Sequence, residues 1–130
     1  MKFKYHKDGT KPSKNQVFVF GSNLAGIHGA GAAKLALEYG ARMGHGIGVQ
    51  GKTYAIPTKN YDIDTMPIEQ IIPYIERFIK FTYEFPQLNF FVTRIGCGLA
   101  GYKDKQIAVL FKECNTNCSF AKEWAPFIEM

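Results

Sequence analysis

The amino-acid sequence predicts an α/β fold, a three-layer αβα arrangement around a central mixed or mostly parallel sheet. Three observations lead there. Short runs of strand formers alternate with stretches of helical apolar spacing. The first run, Val17-Phe18-Val19-Phe20, is apolar at every position, the pattern of a strand covered on both faces. The 13 glycines concentrate in three segments, two of which directly follow strands.

Taken in order, the strand at residues 17–20 enters a loop at Gly21-Ser22-Asn23. Residues 30–39 are helix formers with Gly40 as a natural stop. Gly40, Gly44, Gly46, Gly48 and Gly51 predict a loop over 40–51. A short strand, 53–56, is expected to end at Pro57. Ile68, Ile71, Ile72, Ile75, Phe78, Ile79 and Thr82 then recur at helical spacing. Pro73 leaves two starts open: the helix begins there, or it begins earlier and is kinked. A third strand over 88–93 leads into the turn-rich segment 96–101, and Asp104 is expected to cap a helix that buries Ile107, Leu110, Phe111 and Cys114. The tail after Asn115 lacks periodicity, but Phe120, Trp124 and Phe127 can close one edge of the core.

At 130 residues the chain suits one domain, with roughly 6,900 Å² of folded surface. The formal charge of +5 sits almost wholly in residues 1–14, where five lysines meet only Asp8. The reading is therefore of a basic, poorly packed segment over 1–14 and a single nearly neutral domain over 15–130. That distribution argues against a nucleic-acid stripe. Three cysteines fit a reducing compartment, and neither cofactor nor metal is expected from the scattered histidines. The polar start and the absence of long apolar runs lead to the expectation of a cytoplasmic protein with no membrane partner.

In parallel sheets ligands bind beyond the carboxyl ends of the strands, which is where the glycine segments 21–31 and 96–101 fall. Glycine lets backbone amides turn toward an anion and lets the chain approach it closely. Tight turns alone would use the same residues. The chain has no P-loop string, and Gly26-Ile27-His28-Gly29-Ala30-Gly31 is out of register with a dinucleotide fingerprint. Gly96-Cys97-Gly98 is not a nucleophile elbow.

Phe20-Gly21-Ser22-Asn23-Leu24-Ala25-Gly26, followed by His28-Gly29-Ala30-Gly31-Ala32-Ala33, resembles the first ligand loop of the macrodomain family, whose members bind ADP-ribose. Arg94-Ile95-Gly96-Cys97-Gly98-Leu99 resembles the second loop of the branch that includes the terminal ADP-ribose protein glycohydrolase. Pro57-Thr58-Lys59 is similar to the string that carries that branch's catalytic lysine. The whole chain looks like macrodomain-like proteins of phages and prophage regions. The likeness spans about residues 17–114 in element order, with RIGCGL its most specific string. One position departs: an Asp follows GCGL in that branch, whereas this chain has Ala100, leaving Asp104 as the nearest acidic alternative.

The resemblance implies a macrodomain-like fold that binds ADP-ribose or a related nucleotide diphosphate, with an ADP-ribosylated protein as a further partner. Ser22, Asn23, His28, Gly29 and Gly31 from the first loop, and Ile95, Gly96, Cys97, Gly98, Leu99, Ala100, Gly101 and Tyr102 from the second, are the candidate ligand residues. Asn23 could instead organise an Asx turn, and His28 could face water. Lys59 and Asp104 are the candidate catalytic pair, in which the amine attacks the anomeric carbon and an acid returns the proton. His6 is set aside with the polar start. Two alternatives accompany the binding reading: hydrolysis of ADP-ribosyl or O-acyl conjugates, and a phage interaction module without a ligand.

Overall fold

The computed structural model describes residues 1–129. Six strands form one sheet: β1 (Lys4–His6), β2 (Gln16–Asn23), β3 (Gly48–Gln50), β4 (Thr53–Lys59), β5 (Asn89–Val92) and β6 (Cys118–Ala121), in the order β1-β6-β5-β2-β4-β3. All neighbouring pairs are parallel except β3–β4. The fold is a three-layer αβα sandwich around a mixed, mostly parallel sheet.

Alternate side chains of each strand feed two separate cores. Phe18, Phe20, Ala55 and Phe91 meet Ala33 and Ala36 of α1 (Gly31–Ala36). Val17, Val19, Tyr54, Ile56, Phe90 and Val92 face the other way, onto α2 (Ile68–Glu84) and the helical turns near the C-terminus. Ile107 of α3 (Asp104–Ile107), Phe111, Trp124 and Ile128 of α4 (Ala125–Ile128) complete that larger core. The unbroken apolar run at 17–20 follows from this double coverage.

Several elements differ from expectation. β2 continues through Gly21-Ser22-Asn23, because Gly21 and Ser22 pair with Ile56 and Pro57 of a β4 that itself runs on to Lys59. Pro57 lies beyond the last β3 pair, Gly48–Ala55, where β4 has a neighbour on one side only and tolerates a missing donor. The predicted loop 40–51 contains β3. The helix α2 starts at Ile68 and passes through Pro73, whose position and that of Glu69 four residues earlier are exposed, so the freed carbonyl is left to water. Lys103, not Asp104, caps α3, and Gln106 Oε1 accepts from its backbone N at 2.9 Å.

The basic start is also better packed than its composition suggests. Lys4–His6 pairs with β6, Phe3 is buried against Phe120, and the Tyr5 hydroxyl donates to Glu129. The accessible surface is 6872 Å². No helix among the described residues is long and apolar enough to cross a membrane.

From β2 the chain passes through α1 on one face to β4. It then returns through α2 on the opposite face to β5, on the far side of β2. The connections therefore diverge between β2 and β5, which opens a crevice at their carboxyl ends.

Candidate functional site

A cleft of about 650 Å³ occupies that crevice. Its walls come from four places: residues 21–33 at the end of β2 and start of α1, Thr58, Lys59 and Ile63 at and beyond the end of β4, residues 93–100 after β5, and residues 6–10 after β1. The two glycine loops meet at their roots. A Cβ placed on Gly21 would lie 3.6 Å from Gly96 N and 3.6 Å from Ile95 Cγ2. The backbone amides of residues 29–33 and of Gly98, Leu99 and Ala100 find no acceptor among the described residues, and all of these residues line the cleft.

The first loop is braced from behind by the segment 42–46. Gly44 N donates to Gly26 O at 2.8 Å, the Ser22 hydroxyl donates to Gly46 O, and His28 Nε2 donates to His45 O at 3.0 Å. Gln50 holds the brace at both ends, donating to His45 O at 2.7 Å and accepting from Arg42 N at 2.8 Å. Contact is close enough that a Cβ on Gly26 would fall 2.8 Å from Gly44 Cα and nearer still to His45 N. The third glycine segment is thus scaffold for the first loop.

This bracing engages several of the predicted residues. Both ends of the Asn23 amide are used within the loop, with Nδ2 donating to Ile27 O at 2.8 Å and Oδ1 accepting from Ile27 N at 2.9 Å. The side chain organises the loop, but through Ile27 four residues on and not through an Asx turn. His28 is 2 % exposed, packs edge-on against Phe20 and does not line the cleft. Its Nε2 carries the proton given to His45 O, and its buried Nδ1 has no hydrogen-bond partner among the described residues. Ser22, Asn23, Gly29, Gly31, Ile95, Gly96, Cys97, Gly98, Leu99 and Ala100 do line the cleft; Gly101 and Tyr102 do not. The Tyr102 hydroxyl is instead donated to Met66 O at 2.6 Å, which ties the second loop to the start of α2.

Lys59 lines the cleft from the end of β4, while the ion pairs found among the described residues both belong to Arg94. The acid expected to work with it is differently employed. Asp104 accepts from Arg94 Nε at 2.9 Å, from Arg94 Nη2 at 2.6 Å and from Trp124 Nε1 at 2.8 Å. The guanidinium, with the Trp124 donor, holds this carboxyl below the usual carboxylate range despite partial burial. A group so held is ionised at neutral pH and carries no proton to deliver. Asp104 is also not among the residues that line the cleft.

Asp104→Asn is expected to destabilise the fold by about 2 kcal/mol at pH 7. The lowered carboxyl stabilises the wild type above the pKa of the unfolded chain, and that contribution is lost as pH falls through the still lower folded value. Urea denaturation followed by Trp124 fluorescence from pH 7 to pH 2 will show this loss in wild type and a flatter acid limb in the variant.

Cys97 is the thiol nearest the cleft, donating to Ile95 O at 3.5 Å. Burial and the adjacent Asp104 carboxylate push it up to about 12. It is expected to react with iodoacetamide at pH 8 on the order of a thousandfold more slowly than an unhindered cysteine. Mass spectrometry of a timed alkylation checks this.

Sequence reasoning missed the wall built by residues 6–10. His6 stacks on Phe91 with ring centroids 3.7 Å apart, shares a hydrogen bond of 2.8 Å with Ser119 Oγ, and is kept below its ordinary pKa by burial. Asp8 reaches Arg94 Nη1 at 3.1 Å and so joins the N-terminal segment to the second glycine loop. The alternation of Phe3 and Tyr5 with lysines was the available signal, masked by the surrounding charge.

No family model, curated protein or solved structure matches this chain.

Proposed function

We propose that the protein binds ADP-ribose, or a closely related nucleotide diphosphate, with the diphosphate between the loops 26–31 and 96–100, and that its fold is macrodomain-like. The observation that carries this reading is the meeting of both glycine loops, with eight unpartnered amides, around one crevice between β2 and β5. Glycine-rich loops with free amides suit a diphosphate, and a cleft of about 650 Å³ is within the range used for nucleotide-sized ligands. Lys59 supplies a cation at the rim. The string RIGCGL and the first loop add the family resemblance.

Binding is favoured over hydrolysis. Asp8 is the only carboxylate lining the cleft among the described residues, and it is paired with Arg94. Among the described residues no other acid lines the cleft to protonate a leaving group. Lys59 is read here as a counter-charge for the diphosphate.

Isothermal titration calorimetry with ADP-ribose tests the reading. One saturable site per chain is expected, with adenosine, which lacks the diphosphate, at least about tenfold weaker. Absence of heat with ADP-ribose, ADP and NAD alike would leave the reading without support and favour an interaction module without a ligand.

A further inference from the structure

The loop that leaves β4 holds a residue in a conformation its type disfavours. Ile63 has φ of 66°, and it is the one non-glycine residue with positive φ among those described. A β-branched side chain is strained there, where glycine and asparagine are at ease. Hydrogen bonds on either side of Ile63 hold the loop in this shape. Asn60 Oδ1 accepts from Asp62 N at 2.9 Å and from Asp64 N at 3.0 Å, while Asn60 N donates to Asp64 O at 2.9 Å. Lys59 and Thr65 bridge its base, and Thr65 Oγ1 donates to Ala100 O at 3.0 Å, fastening it to the second glycine loop.

Burial does not explain the choice of isoleucine. Ile63 is 38 % exposed and packs against neither core. It does line the cleft, together with Ile27 at 51 % and Leu99 at 73 % exposure. Each comes from a different loop, after β2, β4 and β5. Scattered exposed aliphatics need no explanation, but three around one opening, one of them kept there under strain, do.

We propose that Ile63 is a specificity-determining contact, forming with Ile27 and Leu99 an apolar clamp on a ring face of the ligand at the Lys59 end of the cleft. The proposal rests on the nucleotide reading above. A furanose and a base both offer an apolar face of suitable size. The strain is retained because only an aliphatic side chain at this point of the loop closes the clamp.

The full chain and its Ile63→Gly, Ile63→Asn and Ile63→Val variants are to be titrated with ADP-ribose and with ADP, and melted thermally. The Gly and Asn variants are expected to melt at or above the wild-type temperature, since both relieve strain, and to bind ADP-ribose about tenfold more weakly. Val keeps an aliphatic face and should stay within about threefold of wild type. Loss confined to ADP-ribose places the terminal ribose in the clamp; equal loss with ADP places the base or its ribose there. Either supports the proposal. Wild-type affinity in Ile63→Gly overturns it while the nucleotide reading stands, and so does a marked drop in melting temperature in both Gly and Asn variants, which would make Ile63 a packing residue. A wild type that binds neither compound removes both readings together.

Discussion

Gly98→Val is expected to weaken ADP-ribose binding by about 10- to 100-fold while shifting the melting temperature by no more than about 2 °C. Gly98 is exposed, has no positive φ, and a Cβ built on it meets nothing within 4 Å. The fold by itself therefore has no need of glycine at this position. A ligand lying against the loop would, because a branched side chain there occupies the space in which a phosphate approaches the amides of residues 98–100. Calorimetry and thermal denaturation on the same preparation separate the two effects. Undiminished binding would mean that the second glycine loop does not hold the ligand.

Gly46→Ala should do the reverse, acting first on stability. A Cβ at Gly46 would sit 3.0 Å from Asn23 C and closer still to its carbonyl oxygen, with Gly26 N 3.4 Å away. These are backbone atoms at the end of a central strand, and they cannot rotate aside. Either β2 and the segment 42–46 separate, losing the bonds to Gly46 O, Gly26 O and His45 O, or the strain stays. A cost of about 3 kcal/mol is expected, which for a chain of this length lowers the melting temperature by roughly 10 °C. Gly44→Ala serves as the comparison: its Cβ would find open space, so only its positive φ of 88° is penalised, and its loss should be about half as large. Thermal denaturation of both variants checks the ranking.

What could be read from the sequence follows from which forces are local. The strand at 17–20 and the helix over 68–84 were legible because apolar side chains repeat with a period set by their own geometry. β1, β3 and β6 were not. Gly48-Val49-Gln50 and Lys4-Tyr5-His6 are three-residue strands with little intrinsic preference, held by pairing with β4 and β6. The helix over 30–39 tightens after Ala36, where Leu37–Tyr39 form a 3-10 turn that closes on Gly40 at φ 110°. At the site, glycine spacing identified the two loops but could not separate lining from bracing. Gly46 and Gly98 look alike in sequence, yet one is buried against backbone and the other is open. Asp104 was legible as an acid near the second loop, but its neutralisation by Arg94 comes from α3 and the loop folding onto each other. The cleft wall at His6 to Thr10 depends on β1 joining the sheet beside β6, a contact that spans more than a hundred residues of chain.

Binding through main-chain donors of two loops requires the diphosphate to rest between them. A crystal structure of the full chain grown with ADP-ribose measures that position directly. Diphosphate oxygens are expected within hydrogen-bond distance of amides from both 29–33 and 98–100, above the gap separating β2 from β5; that placement is the binding reading. A ligand seated elsewhere, or touching one loop alone with the other turned away, would contradict it.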